Sequence, residues 1–115
     1  MRILGKPFGS GYITFKSADD GGRQTGRPTG PVYGANARVV GAAPGTFSEL
    51  VSMLIELPGT VTDGRELVRF GFIAPEIVAP SLYPGAVISV SEGPVKVVAD
   101  LTVAEIYGDV AVESD

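Results

Sequence analysis

The chain has 115 residues, a net charge of −4 and neither cysteine nor histidine. Disulfide frameworks, thiolate nucleophiles, zinc fingers and Ser-His-Asp triads are thereby excluded, and at 44% hydrophobic the chain is too apolar to be disordered. Sixteen glycines and nine prolines break it too often for helices of ordinary length, while short strands joined by turns survive.

In chain order, residues 2–4 read as a short lead-in strand. Tyr12, Ile13, Thr14, Phe15 and Lys16 then alternate with the period of a strand that buries one face. Residues 17–31 hold Asp19, Asp20, Gly21, Gly22, Gly26, Pro28, Gly30 and Pro31, which predicts a long mobile connection. Val32 and Tyr33 lead into a strand over 37–40, stopped by the glycines and proline of 41–45. Residues 47–57 carry two patterns. Leu50, Met53, Leu54 and Leu57 fall at helical spacing behind Thr46 or Ser48 as a cap, and Val51, Met53, Ile55 and Leu57 alternate. The all-β surroundings favour the strand.

Asp63-Gly64 is a hairpin dipeptide, followed by alternating Val68, Phe70 and Phe72. Pro75, Pro80 and Pro84 fence residues 76–79, which are at best a short edge piece. Residues 82–85 make a Pro-Gly turn. Residues 86–91 form a strand, Glu92-Gly93-Pro94 a turn, and 95–107 the longest β-prone run, with a bulge expected near Ala99-Asp100. The prediction is one all-β domain over residues 1–115, with 1–11 a lead-in and 108–115 a frayed acidic tail. Its six or seven antiparallel strands form a Greek-key-like barrel, because closure removes the edges that apolar strands would expose.

Charge is unevenly distributed. Residues 1–40 carry six basic side chains against two acidic ones, and residues 41–115 carry three against eleven. The acidic balance argues against general nucleic-acid or membrane adhesion. No apolar run approaches a signal segment or the roughly 20 residues that cross a bilayer. A soluble cytoplasmic protein is the expectation.

Phe15-Lys16 followed by Asp20-Gly21-Gly22-Arg23-Gln24-Thr25 is similar to the start of the C-terminal β-barrel domain of elongation factor Tu and related translation GTPases. In that family a strand runs into an acidic-Gly-Gly-Arg-x-Thr-Pro loop and then into a Tyr-containing strand, parts that Pro28 and Tyr33 would play here. Leu67-Val68-Arg69-Phe70-Gly71-Phe72, then Pro84-Gly85-Ala86-Val87-Ile88-Ser89-Val90-Ser91-Glu92-Gly93 and the run from Val95 to Ile106, resemble the strands that close the family's barrel. The resemblance spans roughly Tyr12 to Tyr107 and implies a stand-alone barrel of this kind. In the family the barrel contacts the T-stem side of tRNA and packs on a GTPase domain. This chain has no Walker-type phosphate loop, hence no nucleoside triphosphate site. Gly34-Ala35 stands where the family places Arg-Pro, and the acidic C-terminal half would repel a phosphate backbone.

The loop residues Gly21, Gly22, Arg23, Thr25 and Arg27 are the first candidate site. Two glycines let backbone N–H groups converge, and the two arginines suit a phosphate or carboxylate. Alternatively Arg23 ties the loop to the barrel through Asp19 or Asp20. Tyr33 and Arg38 are a second candidate, as a partner surface. Asp19 and Asp20 with Glu92 or Asp100 read as exposed turn carboxylates, with no metal site implied. Ser10, Ser17, Ser81 and Ser91 lack a histidine base and a nucleophile elbow. No catalysis, metal or cofactor is therefore expected. The expected function is a non-enzymatic interaction module that binds another protein in an inhibitor, immunity or assembly role. The alternative is an RNA- or tRNA-binding barrel that uses the Gly-Gly-Arg loop.

Overall fold

The computed structural model describes residues 8–16, 31–41, 45–57, 59–63, 65–93 and 96–107. These form strands β1 (Gly9–Phe15), β2 (Val32–Val39), β3 (Val51–Glu56), β4 (Thr60–Thr62), β5 (Arg65–Phe72), β6 (Val87–Glu92) and β7 (Lys96–Ile106). A single helical turn, α1 (Pro75–Val78), and a 3-10 turn (Ala79–Ser81) lie between β5 and β6.

All pairings are antiparallel, in the order β1-β7-β6-β2-β3-β5-β4, and β1 also pairs with β5. Six strands therefore close on themselves, leaving β4 as an extension. Within the ring, β6-β2-β3-β5 is a Greek key: three strands follow one another as neighbours and a fourth returns beside the first. β3 and β4 occupy the same edge of β5, β3 against its C-terminal end and β4 against its N-terminal end. The step between them is tied by the buried carboxylate of Glu66, which accepts the Gly59 N–H at 2.6 Å.

Alternation decides which side chains enter the barrel. β3 shows it best, with Val51, Met53 and Ile55 buried while Ser52 is exposed. Residues 47–57 thus take the alternating pattern, because a strand between β2 and β5 buries all three side chains at once. Ile13, Ala37, Val39, Val68, Phe70, Ile88, Val90, Leu101 and Val103 fill the remaining interior. Asp63 adopts φ 54° in the two-residue connection between Thr62 and its partner Arg65, as an Asp-Gly hairpin requires. At the turn before β6, Pro84 is followed by Gly85 at φ 97°, and Ala86 N–H closes on Tyr83 O at 2.9 Å. This is the Pro-Gly signature of a type II turn.

Three local expectations change. β1 begins at Gly9, ahead of the alternating residues, because Gly9 and Gly11 fit where the backbones of β1 and β7 approach closely. Residues 76–79 are helical, not an edge strand. Pro75 suits a first helical position, and the single turn drives fully buried Val78 into the core. The β6–β7 irregularity lies at Val90/Ser91 opposite Val97–Ala99, so the additional residue is Val98, and a second shift lies at Ser10/Gly11 against the end of β7. Residues 2–4, 17–30 and 108–115 lie outside the described residues.

A Cβ on Gly11 would sit 2.6 Å from the Thr102 carbonyl oxygen and closer still to the Leu101 side chain. Gly11→Ala is expected to lower stability by about 1–3 kcal/mol through overpacking. At Gly34 the nearest atom to an added Cβ is Leu54 Cδ2 at 3.8 Å, so Gly34→Ala should raise stability by about 0.4–1 kcal/mol by restricting the unfolded chain. Urea denaturation of the two variants checks the contrast.

Candidate functional site

Antiparallel alternation sorts the connections between the two ends of the barrel. At one end, here called upper, β1 finishes, β2 starts, the β4–β5 hairpin turns and β6 passes to β7. At the other, lower end, β2 passes to β3, β5 passes to β6, and β1 and β7 have their outer termini.

The candidate loop residues Gly21, Gly22, Arg23, Thr25 and Arg27 lie outside the described residues. Their anchors are well defined: Lys16 N–H bonds Val98 O at 2.8 Å, and β2 starts on the opposite wall of the upper end. Phe15 and Tyr33 span that mouth with an edge-on ring contact at 6.1 Å. Tyr33 is buried and donates its hydroxyl proton to Glu92 Oε2 at 2.5 Å. Arg38, five positions along the same strand, falls on its outer face and is half-buried. Tyr33 and Arg38 thus point to opposite sides of β2, as period two requires.

Polar groups along the walls also serve the fold. On the outer wall, Glu56 takes a hydrogen bond from Arg69 Nε at 2.7 Å and an ion-pair contact from its NH2 group at 2.6 Å. Arg65 lies 4.1 Å over the Tyr12 ring. A groove of about 450 Å³ runs over the outer face of β2, lined by small or polar residues such as Gly34, Asn36, Ser52 and Ser91. Among the described residues, no group of three carboxylates could hold a metal ion, and no helix is long and apolar enough to cross a membrane.

The lower end differs in chemistry. The connection from β2 folds back on its own strand: Gly41 N–H bonds Thr46 O at 2.7 Å, Ser48 N–H bonds Val39 O at 2.8 Å, and Ser48 Oγ accepts Val39 N–H at 2.8 Å. This fold leaves Phe47 55% exposed, with Leu50 beyond it. The connection from β5 is fixed to β3 by Ile73 N–H to Ser52 O at 3.1 Å. Because Val78 turns inward, its neighbour Ile77 faces out; Ile73 is 67% exposed and Tyr83 52%. Of the six large hydrophobic side chains exposed among the described residues, only Val61 lies at the other end. Beneath this surface the rings of Phe8, Phe70 and Phe72 pack together, with centroids 5.5–6.5 Å apart.

Sequence reasoning did not bring Phe47, Leu50, Ile73, Ile77 and Tyr83 together as a group. The available signal was large apolar side chains set beside turn residues, where a strand core has no use for them. No family of known proteins, no curated protein and no solved structure matches this chain.

Removing the buried hydroxyl in Tyr33→Phe leaves Glu92 without that donor. The variant is expected to unfold with about 1–3 kcal/mol less stability and an unchanged far-ultraviolet dichroism spectrum, read by chemical denaturation.

Proposed function

We propose that this chain is a non-enzymatic interaction module, a barrel of the translation-factor kind that binds another protein through its lower end. The observation that carries the reading is the grouping of Phe47, Leu50, Ile73, Ile77 and Tyr83 on the two lower connections. Large apolar side chains gathered on one part of a surface mark places where another macromolecule covers them. The walls are poor candidates, since closure pairs their backbone groups with neighbouring strands. An inhibitor, immunity or assembly role would each use such a surface, and none needs a nucleophile, a general base or a cofactor.

A photo-crosslinking residue at position 77, compared with one at exposed Thr102 on the β7 wall, tests this in the native host. Position 77 is expected to give a discrete protease-sensitive adduct that disappears in Ile73→Asp, while position 102 gives none. Adducts of equal strength from both positions would defeat the reading. A ribonuclease-sensitive adduct would favour the RNA-binding alternative.

A further inference from the structure

We infer that the partner's contact surface is cationic, a protein segment that sets lysine or arginine between apolar side chains. This inference rests on the lower end being the docking end and names the chemistry it selects. Among the described residues, every exposed charged side chain at that end is a carboxylate: Glu49 on the β2–β3 connection, Glu76 in α1 and Glu105 near the end of β7. Two described bases lie toward that end and both are half-buried: Arg38 on the outer face of β2, and Arg69, level with Glu105 through their shared partner Ser10 and paired with Glu56. The exposed described bases, Lys16, Arg65 and Lys96, stand at the upper end, where exposed Asp63 also lies.

The apolar side chains thus lie among acids that come from three separate elements. Rim pairs of this kind add little affinity each, but they set which partner approaches and how fast. The same rim acts against two other occupants. A second copy docking by the same face would bring three carboxylates against three, and a nucleic-acid backbone would bring phosphates against them. An apolar segment carrying positive charge meets neither penalty.

Two synthetic twelve-residue peptides with identical leucines, one carrying lysine and the other glutamate between them, serve as probes for titration into the isotope-labelled protein. The lysine peptide is expected to shift the amide signals of residues 47–50, 73–77 and 83. Its affinity should fall about tenfold in a Glu49→Lys, Glu76→Lys, Glu105→Lys variant, as three rim pairs together would give. Raising the salt should weaken it in the same direction. In that triple variant the glutamate peptide should bind instead. Equal binding of both peptides at the lower end of the unaltered protein would overturn the cationic partner and leave the docking end standing. Shifts by neither peptide, or only elsewhere on the barrel, would overturn both. Concentration-dependent dimerisation lost in Ile77→Asp would make a second copy the occupant and overturn the inference.

Discussion

The pairing of β1 with β5 makes this molecule a barrel. Without it the chain would be an open sheet with β1 at one edge, presenting unpaired backbone groups alongside a mainly apolar inner face. With it, β1 is bonded on both sides, to β5 over residues 9–13 and to β7 over 9–15. That strand must fit between two others where space is tightest. A Cβ at either Gly9 or Gly11 would run into the β7 backbone, so the glycines that look like weak strand formers are what let the ring close.

Closure has a consequence for recognition. The barrel walls offer almost no free edge among the described residues, where β4 is the one strand outside the ring, and their inward side chains are spent on the core. What can vary is the chain that caps the ends. Two connections join opposite walls, β1 to β2 at the upper end and β5 to β6 at the lower. In the lower one a single helical turn buries Val78 in the core while its neighbour Ile77 faces outward.

The upper end is organised differently. Its mouth is spanned by the Phe15–Tyr33 contact, and Tyr33 is held by Glu92 from the end of β6. Glu66 holds the β3–β4 step, and Glu56 pairs with Arg69 across β3 and β5. Glu56, Glu66 and Glu92 are used to fix strands, whereas Glu49, Glu76 and Glu105 toward the lower end are exposed, as are Asp63 and Asp100. The acidic composition therefore divides into acids that build the barrel and acids that face outward.

From the sequence by itself came the fold class, the strand character of most segments, the Asp63-Gly64 hairpin and the Pro84-Gly85 turn, because period-two burial and turn stereochemistry are local properties. The choice between helix and strand for residues 47–57 was not local: both patterns are present, and only neighbours on both sides make the strand bury Val51, Met53 and Ile55 together. The helical turn at Pro75–Val78 and the inward turn of Tyr33 were likewise settled by what each had to cover or fill. The grouping of Phe47, Leu50, Ile73, Ile77 and Tyr83 was decided by tertiary structure alone. Residues up to 36 positions apart in the chain reach one end of the barrel only because strand order and direction carry both connections there.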